Sequence, residues 1–95
     1  MARLAILEAR GALKTLSDTL TYYDTQQNGL GARFLRSYDA YLDRLRDMPQ
    51  IGRAGRVFGT RELIMQDFPF LIVYRVRQEY VQILRLIHQS MKYPN

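Results

Sequence analysis

Residues Phe70–His88, FLIVYRVRQEYVQILRLIH, decide the fold. The first part, FLIVYRV, is β-branched and aromatic, the composition of a strand. Strand alternation puts Phe70, Ile72, Tyr74 and Val76 on one face, and Leu71, Val73, Arg75 and Arg77 on the other. Gln78-Glu79 turns the chain into YVQILRLIH, the most apolar segment and therefore the expected central strand. So short a link forces the two strands to pair antiparallel. Carried through the second strand, the same alternation groups Arg85 with Ile83 and Ile87, and His88 with Leu84 and Leu86. Arg85 then interrupts an apolar face and needs an acidic partner or a route to water, with a structural ion pair as the first expectation.

Upstream, TRELIMQ reads as another strand and DFP as the turn that follows it. IGRAGRVFG carries glycines at 52, 55 and 59, which predict turns around a short strand at Val57-Phe58. Before Pro49, which ends a helix, the period changes. Leu30, Phe34, Tyr38, Tyr41/Leu42, Leu45 and Met48 form one helical face, and Arg33, Arg36, Asp43, Arg44 and Asp47 the solvated one. QQNGLG separates this helix from an earlier one, with Asn28-Gly29 suited to a left-handed cap closing the first. The earlier helix starts near Ala9 and shows Ala9, Ala12/Leu13, Leu16, Leu20 and Tyr23. RLAIL, Arg3 to Leu7, suits a first strand. The expected class is α+β: an N-terminal strand, an antiparallel two-helix hairpin, then a three- to four-stranded antiparallel sheet. Residues 1–95 are expected to form a single domain.

Composition narrows the chemistry. Cysteine is absent, which excludes disulfides and thiolate metal sites, and one histidine makes a zinc centre an unfavoured reading. No metal or cofactor is expected. No run approaches the roughly 18 apolar residues that span a bilayer. The stretch MARLAILEARGALK has too short an apolar run and too early a glutamate for a secretory signal. A cytoplasmic location without a membrane partner is the expectation. Net charge is +5, and most of it falls in residues 53–95, which carry seven basic and three acidic side chains. Twelve of the fourteen basic residues are arginine, suited to an acidic partner, although a GC-rich genome produces the same bias.

LRDMPQIGR, RELIM, FPFLIVYRV and VQILRLIHQSM, in that order and spacing, resemble toxins of the RelE/ParE superfamily. Its members show a helix ending in proline and then glycine-arginine, an Arg-Glu-Leu strand, a Tyr-Arg-Val strand and an Ile-Leu-Arg-x-x-His strand end. The first helix departs from that pattern at Thr15-Leu16, where relatives often have Asp-Leu. The resemblance implies a toxin of a type II toxin–antitoxin pair, neutralised by an antitoxin whose flexible segment folds over it. It also implies one of two activities, because fold alone does not fix function. RelE-like members cut messenger RNA in the ribosome, and ParE-like members poison DNA gyrase by binding.

RNA cleavage by a 2′-hydroxyl requires a base, an acid and cations for the developing charge. Where the resemblance puts the basic residues of RelE, this chain has Glu62, Ile64 and Leu71. That departure turns the reading away from RelE and towards ParE, whose branch HQSM also resembles. The target-binding candidates are Arg61, Arg75, Arg77, Arg85, His88, Lys92 and Tyr93. The antitoxin-binding candidates are Tyr22, Tyr23, Tyr38 and Tyr41; adjacent Tyr22 and Tyr23 cannot both point inward. The first reading is a non-catalytic, ParE-like inhibitor of DNA gyrase, partnered by a ParD-like antitoxin in a hetero-oligomer larger than one-to-one. The alternatives are a RelE-like endoribonuclease using His88 and Tyr93, and a degenerate module that only binds its antitoxin.

Overall fold

In the computed structural model, which describes residues 3–94, β4 (Phe70–Val76) and β5 (Tyr80–His88) pair antiparallel from Phe70 opposite His88 to Val76 opposite Val81. One irregularity interrupts the ladder. Val73 lies opposite Arg85 and Tyr74 opposite Ile83, so Leu84 is the extra residue of a β-bulge. A bulge resets the two-residue alternation, and the expected grouping of Arg85 with Ile83 is corrected. Val81, Ile83 and Leu86 join the helix-side core, whereas Ile87 joins Leu71 and Val73 on the opposite face with Arg85.

The sheet grows outward from this pair. β3 (Arg61–Ile64) pairs antiparallel with β4, and the two-residue β2 (Arg53–Ala54) pairs antiparallel with β3. β1 (Ala5–Glu8) lies parallel to β5 on its other side, giving the order β1-β5-β4-β3-β2. The five-stranded sheet is mixed and mostly antiparallel. β5 has a neighbour on each side, but β4 is the middle strand. The strand expected at Val57-Phe58 is displaced to Arg53–Ala54, and the residues after Arg56 form a turn instead.

α1 (Arg10–Gln26) and α2 (Leu30–Asp47) form the hairpin that covers one face of the sheet. Phe34, Tyr38, Leu42 and Leu45 at helical spacing, with Ala12 of α1, pack on Ile72, Tyr74, Val81 and Ile83. Burial of one such large apolar side chain contributes roughly 1.5–3 kcal/mol. Met48 leaves this face at the end of α2 and is half exposed. Tyr23, Phe34, Phe68 and Phe70 form an aromatic cluster at one end of the core, with neighbouring rings 4.9–6.4 Å apart.

The link between the helices differs from the expected cap. Gln27, which closes α1, is extended, and Gly29 at φ 87° precedes α2 as its N-cap residue. Asp24 completes the junction by accepting the Gly31 N–H at 2.9 Å, which places a carboxylate at the start of α2. Gly31 lies against α1 so closely that a Cβ would be 2.7 Å from the Leu20 carbonyl oxygen. At the other end, Arg3 holds the N-terminal segment to α2 through Asp43 and Asp47, at 2.6 and 2.8 Å. Among the described residues, no helix is long and apolar enough to cross a membrane.

Tyr74 secures the exit from α2. Its hydroxyl donates to the Pro49 carbonyl and accepts the Gly52 N–H, both at 2.8 Å. A Cβ at Gly52 would lie 2.5 Å from that hydroxyl oxygen and 2.8 Å from Cε1 of the buried ring. Gly52→Ala should therefore destabilise the fold by about 2 kcal/mol, the usual cost of overpacking, as measured by urea unfolding.

Burial raises the phenol pKa of Tyr23, Tyr38 and Tyr74, and a hydrogen bond to the Glu8 carboxylate raises Tyr38 further. Unfolded tyrosine ionises near pH 10, so above about that pH the unfolded chain releases protons that the native chain retains. Stability is then expected to fall as pH rises past about 10. A Tyr38→Phe/Tyr74→Phe variant should show a shallower fall in thermal midpoint over the same range.

Candidate functional site

The uncovered face of the sheet is organised around one carboxylate. Glu62 lies opposite Val73 in the β3–β4 ladder, and its side chain is fully buried. An isolated buried carboxylate is unfavourable, so its oxygens must be satisfied. The Arg53 guanidinium donates to Oε1 at 3.0 Å, and the Arg56 backbone N–H donates to Oε2 at 3.0 Å. The Arg56 side chain approaches Oε1 at 3.6 Å. Both guanidiniums remain about half exposed and keep contact with water. Glu62 thus spends its charge inside the molecule.

The C-terminal segment lies on the same face. Tyr93 is buried against Leu71, Val73 and Ile87. Two guanidiniums approach its ring, Arg85 at 5.2 Å and Arg56 at 5.7 Å from the centroid. Arg56 also donates to the Tyr93 carbonyl at 2.9 Å. Among the described residues Arg85 has no carboxylate within ion-pair distance, and the expected structural ion pair is replaced by this aromatic contact. Arg75, further along the face, donates to Gln82 at 2.9 Å.

His88 belongs to the other face. It sits directly opposite Phe70, whose ring meets the imidazole edge-on at 5.1 Å. Nδ1 accepts the Ser90 N–H at 3.1 Å, which leaves Nε2 to carry the proton in the neutral ring. A cleft of about 290 Å³ opens there between α1 and the end of β5, lined by Thr15, Asp18, Tyr22, Phe70 and His88 among others. Tyr22 is largely exposed at this cleft, while adjacent Tyr23 turns into the aromatic cluster.

Comparison with known proteins adds the family. A family model described as "ParE toxin of type II toxin-antitoxin system, parDE" matches residues 7–93. The chain belongs to this ParE toxin family. A curated relative, "Putative toxin Y4kP" of Sinorhizobium fredii (strain NBRC 101917 / NGR234), is 32% identical over 94 residues, covering 99% of this chain and 97% of the relative. A solved structure titled "Chromosomal ParDE TA system from P. aeruginosa" superposes with a TM-score of 0.81 at 21% identity. The superposition covers 90% of this chain and 96% of that one, and it supports the fold. The molecule is a ParE-type toxin of a type II toxin–antitoxin system.

Within this ParE toxin the candidate residues separate into distinct settings. Arg75, Arg85 and Tyr93 share the uncovered face, and Tyr93 is part of its packing. Arg61 donates to the Gly52 carbonyl at 2.7 Å and so braces the turn after α2. Arg77 and Lys92 are exposed, and His88 lies on the helix side. Tyr38 is buried with its hydroxyl on Glu8, and Tyr41 accepts the Gln66 N–H at 2.7 Å from a half-buried position. Sequence reasoning missed Arg53, Arg56 and the turn they support. The glycines at 55 and 59 were the available signal, since a strand between them has little room to form.

Removing the Glu62 carboxylate would strand two guanidiniums and a backbone N–H, but the arginines can turn to water. The expected cost of Glu62→Ala is therefore about 2 kcal/mol, below the roughly 3–5 kcal/mol of a fully enclosed pair. Chemical denaturation of the purified variant checks this.

Proposed function

We propose that this toxin arrests growth by binding DNA gyrase in the cytoplasm, without catalysis of its own, and is neutralised by a ParD-like antitoxin. The observation that carries this reading is the separation of acid–base and cationic groups. His88 faces α1, whereas Arg53, Arg56, Arg75 and Arg85 belong to the opposite side of the sheet. RNA cleavage needs a proton-transfer group and charge-stabilising cations around one phosphate. Side chains that project from opposite faces of one sheet point away from each other and do not converge on a common atom. Glu62 and the Tyr93 ring further occupy the cationic face with internal contacts.

The antitoxin reading rests on family membership and on the surfaces left open. Among the described residues β1 is an edge strand with one side unpaired, as a strand-adding peptide requires. A groove of about 720 Å³ runs beside it against α2, lined by Ile6, Leu42, Arg36, Asp39, Asp43 and Arg46 among others. Its mixed charge suits a segment that folds on binding. A dimeric antitoxin would place more than one toxin in the complex.

Expression of the chain alone should arrest growth, and co-expression of its antitoxin should relieve the arrest. Purified toxin should inhibit gyrase supercoiling, and His88→Ala should retain that inhibition within about twofold, as expected for a residue outside the contact. Cleavage of ribosome-bound transcripts, abolished by His88→Ala, would replace this reading with the nuclease one.

A further inference from the structure

The turn between β2 and β3 holds a large aromatic side chain entirely in solvent. Phe58 is 101% exposed relative to a reference chain, and neighbouring Val57 is 41% exposed. A single exposed apolar residue is ordinary on a protein surface. This one differs in how firmly its backbone is held. The Thr60 N–H donates to the Val57 carbonyl at 3.1 Å, closing a β-turn with Phe58 and Gly59 at its centre. Gly59 has φ 84° and Phe58 a negative φ, which makes this a type II turn, the type that requires the left-handed conformation at its third position. The Thr60 hydroxyl donates to the same Val57 carbonyl at 2.6 Å, and the Gly55 N–H donates to the Thr60 carbonyl at 2.7 Å. Arg56, just before the turn, is fixed at its backbone by Glu62 and at its guanidinium by Tyr93.

We infer that Phe58 is the anchor through which this toxin grips its target protein, inserting into an apolar pocket rimmed by carboxylates. A rigid turn lowers the ordering cost of association, and aromatic side chains that fill pockets carry a disproportionate share of interface energy. The charge around the turn defines the rim. Arg53 and Arg56 are half exposed at its stem, and among the described residues their one carboxylate partner, Glu62, is buried. The outward field of the stem is therefore positive and complements acidic side chains. The tip from Val57 to Thr60 carries no charge, which suits an apolar pocket better than a nucleic-acid backbone. Tyr93 and the C-terminal segment then act as a buttress for the turn through Arg56, and the turn makes the contact.

The identity of the target rests on the gyrase reading; the anchoring role of Phe58 does not. The test compares wild-type toxin with Phe58→Ala and Phe58→Trp in growth arrest, supercoiling inhibition, antitoxin capture and thermal unfolding. Phe58→Ala should weaken supercoiling inhibition roughly 30-fold and abolish arrest, with antitoxin capture and unfolding midpoint unchanged. Phe58→Trp should restore most of the inhibition. Full arrest and inhibition by Phe58→Ala would overturn the anchor. If the wild type arrests growth without affecting gyrase, the gyrase reading falls, and Phe58→Ala still decides the anchor by losing or keeping arrest. Tight binding of wild-type toxin to duplex DNA alone, lost in Phe58→Ala and steeply weakened by salt, would overturn a protein pocket as the occupant.

Discussion

The antiparallel pairing of β4 with β5, broken once at Leu84, is the constraint on which both faces of this molecule depend. Before the bulge, Val81 and Ile83 enter the helix-side core; after it, Leu86 and His88 occupy that side and Arg85 and Ile87 the other. A strict alternation would have placed Arg85 in the core beneath the helices. The bulge moves it to a face where it can reach water and an aromatic ring. It also gives the C-terminal segment its seat, because it adds Ile87 to Leu71 and Val73 in one apolar strip. Tyr93 covers that strip, and Arg85 lies against the ring.

Glu62 does comparable work one strand away. A buried carboxylate on a sheet face is destabilising unless donors converge on it. Arg53 and the Arg56 N–H supply them, and in doing so they fix the start of the turn that carries Phe58. The same residue therefore accounts for two features of the surface. It offsets part of the cationic charge beside β3. It also leaves a positive stem and an apolar tip at the edge. Fold alone does not set function, and a few side chains on a shared fold can decide it.

The sequence shows most of the architecture and much less of the site. The strands 70–76 and 80–88, the hairpin of two helices and the helix end at Pro49 follow from periodicity and breakers that act locally. Helical spacing also marks Tyr23, in step with Leu16 and Leu20, as the inward residue of the pair with Tyr22, and Phe68 and Phe70 receive its ring. At Val57-Phe58 the local pattern misplaces a strand. Its apolar pair suggests burial, but hydrogen bonds from Gly55 and Thr60 close the chain into a turn and leave both side chains outside.

By itself the sequence determined the element types, their order, the absence of cysteine chemistry and the superfamily resemblance, all of which reside in local patterns and spacing. Only the tertiary structure decided that β1 joins the sheet parallel to β5, that Arg85 lies on the face away from Ile83 and the helices, and that Tyr93 is a packed residue. These outcomes depend on contacts between segments distant in sequence, such as Arg56 with Tyr93, 37 residues apart. For Arg85 the physical reason is the bulge. One unpaired residue shifts the phase of every side chain beyond it, and nothing in a period-two pattern marks where that shift occurs.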